Sequence, residues 1–237
     1  SATTGDINHL KGSGDNKVRL VKESADLGLD VVVTDIQRID MDGHDLTLDR
    51  ADIGQIDKIM DDSTGTLVFT GAFVYDFAEA LLTLEGVQTI GLDGGNYSYS
   101  LTLDGFHDED VREIVSDGDL ILDGDTNIDT RLNEKITLID LSQGMGSDGN
   151  NNIFATFDDP MTIRGGTDTD DVDLTLKSDI EAGELIIDLG EDSDDTVNFN
   201  LNGEDIDMTG DGRILRGVEY VDVDTADGDG EVMFQFN

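Results

Sequence analysis

Short runs in which every second residue is apolar recur along the whole chain. Leu46 and Leu48, Leu67 and Phe69, Leu101 and Leu103, and Leu120 and Leu122 alternate with Thr, Val, Ile or Asp. Period two marks a strand with one buried face, and the same pattern returns in VDLTL (172–176), ELIIDL (184–189) and TVNFNL (196–201). A longer phrase occurs four times, as an aliphatic residue, two others, an aliphatic, one other, an aliphatic, then Asp or Ser. Its copies begin at Ile36, Val87, Ile136 and Val218, and end at Asp42, Asp93, Ser142 and Asp224. The first three start about 50 residues apart, which points to a repeat architecture.

Two segments between strands carry apolar residues at helical spacing: Ile53, Ile56 and Ile59 in DRADIGQIDKI, and Val111, Ile114 and Val115 in HDEDVREIV. Each is expected to form a helical or bent turn that packs on the core, and DFAEALLTL (76–84) a third. From about residue 143 the character changes, and turns of Gly, Asp and Asn separate short alternating strands. The expected organisation is a repeat-containing β domain over 1–143, holding two units of about 50 residues, and a Gly/Asp-turn β domain over 144–237, unless both belong to one continuous stack. Pro160 is the single proline, so long hydrogen-bonded ladders are permitted. The fold class expected is all-β, a β-solenoid or β-roll or else a β-sandwich, with short helical turns and calcium stabilisation.

Charge makes the calcium expectation pressing. The chain carries 55 acidic and 14 basic residues, a net charge of −41. Such a chain repels itself when compact, so multivalent cations are the obvious neutralisers, with a salt-solvated acidic surface as the alternative. Nucleic acid and anionic membrane are disfavoured as partners because no Lys/Arg cluster exists to displace counterions. No run approaches the length of a membrane helix. Cysteine is absent, which excludes disulfides, thiolate metal sites and a Cys nucleophile. The first residue is Ser rather than Met, as in a mature secreted form or an excised piece.

Four segments approximate the nonapeptide G-G-x-G-x-D-x-U-x, in which glycines turn backbone carbonyls toward an ion, Asp adds a charged oxygen and U, a large aliphatic, starts a strand. Residues 11–19 offer Gly12, Gly14, Asn16 and Val18; residues 146–154 offer Gly146, Gly149, Asn151 and Ile153. Residues 165–173 offer Gly165, Gly166, Asp170 and Val172, with Asp168 where the third glycine belongs; residues 190–198 offer Gly190, Asp195 and Val197. Calcium takes about six to eight oxygens, more than one turn supplies, so turns must share ions. The candidate calcium ligands are Gly14, Asn16, Asp148, Gly149, Asn151, Asp168, Asp170, Asp192 and Asp195. The copies are not in tandem at nine residues, so isolated sites are expected rather than a regular row of ions. Other acidic turns, such as Asp42-Gly43 and Asp211-Gly212, are read as solvated turns.

These turns, with the phrases beginning at Ile136 and Val218, resemble the RTX, or hemolysin-type calcium-binding, regions of large bacterial surface proteins, including surface-layer proteins and giant repeat adhesins. The resemblance implies a secreted protein at the cell surface that folds with calcium and assembles or adheres there. On that reading the chain is a structural module that associates with copies of itself, with a cell-surface polysaccharide as a further partner. The alternatives are an adhesin or ligand-binding domain of a larger secreted protein and, with less support, a polysaccharide-active enzyme on a β-helix.

No catalytic apparatus is legible. The three histidines, His9, His44 and His107, sit in acidic, turn-like settings, and neither G-x-S-x-G nor H-E-x-x-H occurs. Among so many acids, a pair such as Asp108 and Glu109 arises by chance, and Gly94-Gly95 lacks the Lys of a phosphate loop. The expectation is therefore a protein that is not an enzyme.

Overall fold

The structure is a computed structural model that describes residues 9–11, 17–19, 24–27, 32–34, 36–49, 53–61, 64–70, 73–76, 82–95, 99–103, 108, 110–122, 126–131, 133, 135–141, 151–158, 160–165, 169–180, 184–190, 194–208, 214–225 and 232–234. The first strands are β1 (His9–Lys11), β2 (Lys17–Arg19), β3 (Ala25–Leu27), β4 (Val32–Thr34), β5 (Ile36–Asp40), β6 (Leu46–Asp49), β7 (Ile56–Met60), β8 (Thr66–Thr70) and β9 (Phe73–Asp76). There follow β10 (Thr83–Glu85), β11 (Thr89–Gly95), β12 (Tyr99–Thr102), β13 (Glu113–Leu122), β14 (Thr126–Asp129), β15 (Leu138–Asp140), β16 (Asn151–Phe157) and β17 (Met161–Arg164). The last are β18 (Asp170–Leu176), β19 (Leu185–Asp188), β20 (Thr196–Asn200), β21 (Ile206–Met208), β22 (Ile214–Arg216), β23 (Tyr220–Asp224) and β24 (Val232–Phe234).

Every described strand pair is parallel, and sequential strands lie in different sheets. β7, β8 and β9 belong in turn to a four-stranded, a nine-stranded and a seven-stranded sheet, and β10, β11 and β12 visit the three in the same order. Over β7–β12 the chain thus travels round three sides and advances one rung per circuit, which is a β-solenoid; from β13 to β20 the described strands alternate between the nine- and seven-stranded sheets, and Ile180, bridged to Ile206, marks the third side. The sandwich alternative falls away, since a sandwich needs antiparallel sheets. Near the ends, two-stranded sheets stand in for the missing sides: β4, paired with β1, lies between β3 and β5, and β21, paired with β24, lies between β20 and β22.

Parallel stacking in register explains why the strands alternate. A column of inward residues runs Leu46, Leu67, Ile90, Ile114, Ile139, Ile163, Ile187 and Leu215 through the nine-stranded sheet. All but Leu215 are fully buried. A second column on the seven-stranded sheet runs Leu101, Ile128, Ile153, Val172, Val197 and Val221. Like sits on like at a spacing of roughly 4.8 Å, so branched aliphatic side chains fill the interior and each rung supplies the next with its packing surface. The nine- and seven-stranded sheets both pass from residues before 143 to residues beyond 150 without a break in pairing.

The numbering of these columns also explains the fourfold phrase. One rung advances the chain by 21 to 28 residues along the first column, so the interval of about 50 spans two rungs. Nor does the phrase mark one side of the solenoid. Its middle aliphatic residue is Ile39 in the four-stranded sheet, Ile90 and Ile139 in the nine-stranded sheet, and Val221 in the seven-stranded sheet. The phrase encodes a corner followed by a strand, and all three sides use that unit.

The helical spacing is shared between turn and strand: Ile53 lies in a short helical turn and Val111 closes a bend by donating its N–H to Asp108 O at 2.9 Å, but the residues after them are strand. Ile56 and Ile59 lie in β7 beside Ile36 and Ile39 of β5, and Ile114 and Val115 lie in β13. Three-residue spacing buries both isoleucines because the two adjacent rungs share the same local bend and therefore stack. Of the third expected turn, Leu82 and β10 are described and β10 is a strand; residues 77–81 lie outside the described residues.

Two corners need left-handed backbone at two successive residues. Asp42 and Gly43 have φ of 54° and 78°, and Asn202 and Gly203 have 51° and 91°. In both, the fourth residue donates back to the first, His44 N to Met41 O at 3.0 Å and Glu204 N to Leu201 O at 2.8 Å. These are type I′ turns, for which Asp-Gly and Asn-Gly are the favoured pairs.

Candidate functional site: a polar column at the strand entrances

Three of the nine candidate calcium ligands lie among the described residues, and the fold brings those three together. Asn151 and Asp170 are register partners, and Asp195 precedes Thr196, the partner of Asp171. Their nonapeptide aliphatics, Ile153, Val172 and Val197, form the buried column directly beyond them. Three of the four nonapeptide-like segments are thus consecutive rungs of one sheet. The fourth enters β2 at the other end, where Val18 pairs with Ile39. Gly14, Asn16, Asp148, Gly149, Asp168 and Asp192 lie outside the described residues.

The three side chains point inward and are nearly or fully buried, Asn151 at 4% exposure and Asp170 and Asp195 at 0%. Buried carboxylates require hydrogen-bond donors, and here a neighbouring rung supplies one to Oδ1 of each, leaving the buried Asp195 Oδ2 with no hydrogen bond among the described residues. Asn151 Nδ2 donates to Asp170 Oδ1 at 2.7 Å, and the backbone N–H of Asp170 donates to Asp195 Oδ1 at 2.8 Å. The N–H of Asp195 in turn donates to Glu219 Oε2 at 3.1 Å, while its carbonyl accepts from Glu219 N and Tyr220 N at 3.1 and 3.0 Å. Where the chain leaves a corner its N–H faces the next rung rather than a ladder partner, and the carboxylate one rung further on caps it.

Gly165 belongs to this device for a reason of space. A β-carbon there would run into the Asp170 carboxylate. The glycine heading the turn is needed to let the acid lie against the main chain.

Carboxylates cap corner N–H groups elsewhere too, from one rung further on for Gly43 and Gly86, from one rung back for Thr66 and Asp205, and within the same corner for Gly65. Asp61 accepts from Gly43 N and Gly65 N, both at 2.8 Å, Asp110 from Gly86 N at 2.9 Å, Asp45 from Thr66 N at 2.9 Å, and Asp179 from Asp205 N at 2.7 Å. Fully buried Asp108 accepts from Asn133 Nδ2, at 3.3 Å on its side chain and 3.2 Å on its carbonyl. Glu219, Asp61 and Asp108 were not singled out from sequence. The available signal was an acid one rung of about 24 residues from a turn, and that is invisible until the rung length is known. Among the described residues, no group of three or more His, Asp or Glu side chains converges as a cation site requires.

Outside, cations are rationed to the columns. On the nine-stranded sheet Asp140, Arg164, Asp188 and Arg216 alternate in register, with Arg164 Nη1 2.8 Å from Asp140 Oδ2 and Arg216 Nη1 3.8 Å from Asp188 Oδ2. Lys58 pairs with Glu85 across β7 and β10. Arg131 grips Asp129 through Nε and Nη2 at 2.9 and 2.6 Å and lies 5.1 Å from the centre of the Phe154 ring.

On the outer face of the seven-stranded sheet, burial first and then the Asp173 charge push the Asp171 carboxyl above its ordinary range, against a hydrogen bond from Asn198 Nδ2 at 3.1 Å that lowers it. A carboxyl whose folded pKa is raised binds its proton more tightly in the fold than in the unfolded chain. It therefore lowers stability at neutral pH, and the penalty fades as pH falls toward its unfolded value of about 3.9. Asp171→Asn keeps an acceptor for Asn198 and is expected to melt slightly above the parent at pH 7, with the difference vanishing near pH 3. Thermal melts at the two pH values check this, and an equal gain at both would assign the effect to packing.

Fold and column together define the chain as a three-sided parallel β-solenoid whose corner acids serve as rung-to-rung acceptors. Comparison with protein-family models, curated proteins and solved structures yields no match.

Proposed function

We propose that this chain is a structural, non-catalytic module of a bacterial cell surface: a secreted solenoid rod stiffened by calcium and associating with copies of itself. The observation that carries the reading is the inward aliphatic column, buried without interruption from Leu46 to Ile187. Such a stack is a stiff, extendable scaffold in which the interior is devoted to packing. Calcium enters the reading through the alignment of Asn151, Asp170 and Asp195. Asp148, Asp168 and Asp192 stand two or three residues before them in the sequence, so each of these consecutive strands is preceded by a Gly/Asp segment rich in oxygen ligands. Divalent ions shared between such turns would offset the net charge of −41. A cell-surface polysaccharide remains the further partner of this reading; nucleic acid and membrane insertion do not fit the charge.

The test is a calorimetric calcium titration of the chain with thermal melts and particle sizing. Saturable binding, a melting temperature that climbs with calcium concentration by mass action, and growth in particle mass are expected. Identical melts and identical monomer mass in calcium and in chelator would remove the reading.

A further inference from the structure

We propose that copies of this chain stack head to tail, with β22 of one copy pairing onto β3 of the next so that Arg216 faces Asp26 of the following copy. This rests on the self-assembly reading above and names its interface. β3 and β22 are the outermost strands of the nine-stranded sheet. One outward column runs the full width of that sheet in register, from Asp26 through Thr47 and Val68 to Arg216. Its last four members alternate in sign and end on a cation; its first is an acid. Continuing the rung-to-rung register by one step places Asp26 on Arg216 and extends the alternation across the junction. The inward column makes the same step, bringing Ala25 onto Leu215.

The apolar surface points to the same ends. Among the described residues, the partly buried hydrophobics that pack against the core are Val18, Ala25, Leu215, Val218 and Val223, all in the first or last coils. The exposed large hydrophobics among the described residues are Tyr220 and Val221, at 58% and 42%. Val221 is the inward member that follows Val172 and Val197, on β23, the outermost strand of the seven-stranded sheet. The ends also differ in charge. Lys17 and Arg19 lie in β2 at one end, Glu219, Asp222 and Asp224 in or beside β23 at the other. An edge strand with apolar inward positions is a template for further pairing, and a heterologous contact that repeats a translation does not close, so the product is a filament. Repulsion between strongly acidic copies opposes it until salt or calcium screens the charge.

The experiment compares the wild-type chain with Asp26→Arg and Arg216→Asp by light scattering and electron microscopy, in calcium at moderate salt, with circular dichroism confirming that each is folded. Wild type is expected to form filaments. Each variant alone should fall at least tenfold in scattering mass, and an equimolar mixture should recover, because each junction in it again joins opposite charges. Should Arg216→Asp fail to fold, Asp26→Arg alone must still lose filaments. Wild-type filaments that ignore the substitutions, or a mixture that stays dispersed, overturn this interface while leaving self-assembly intact. A wild-type chain that stops at a dimer overturns this interface alone, and one that stays monomeric in every salt and calcium condition overturns both.

Discussion

Ile163→Ala is expected to destabilise the protein by about 2–5 kcal/mol, the cost of deleting a fully buried branched side chain and leaving its cavity. Ile163 is 0% exposed and sits between Ile139 and Ile187, themselves fully buried, in the middle of the longest column. In a stack where each rung contacts its neighbours, a cavity there weakens two interfaces at once. Leu215→Ala, at the partly covered end of the same column, should cost clearly less. Urea unfolding of both variants checks the contrast. Equal losses would mean that the column does not carry the stability of the fold.

Asp195→Ala is expected to cost about 1–3 kcal/mol, because it removes the acceptor of the buried Asp170 N–H and leaves that donor without its partner. That loss should already appear in chelator and should grow in calcium, where the proposed ion site is also weakened, and Asp195→Asn, which keeps a carbonyl oxygen, should lose less in chelator. Thermal melts in the two conditions separate this role from the one suggested by the nonapeptide pattern. A loss confined to calcium-loaded protein would make the column an ion site first and a hydrogen-bonding device second.

Much of the strand content was legible because burial on one face leaves a period-two trace that needs no tertiary information. LTLD at residues 46–49, TLVFT at 66–70 and TVNFN at 196–200 are strands as the alternation requires. Asn151, Asp170 and Asp195, which the nonapeptide pattern singles out, lie on consecutive rungs of one sheet, a proximity that their sequence spacing does not reveal. Among the described residues, the expected helical or bent turns are confined to Ile53 and to the bend at Asp108–Val111, whereas Ile56, Ile59 and Ile114 belong to strands. Spacing alone does not distinguish a helical face from a bent strand whose neighbour bends identically. The interval of about 50 was likewise read as a unit, although it covers two rungs.

By itself, then, the amino-acid order determined that this protein is built from strands with an aliphatic interior, joined by Gly/Asp corners and burdened with acid. Only the tertiary structure decided that the strands pair in parallel around three sides, and that acids about one rung apart meet at the corners. Side-chain alternation is local and is written into each strand. Rung length is a property of the closed circuit, and it alone determines which distant residue supplies the carboxylate for a corner N–H.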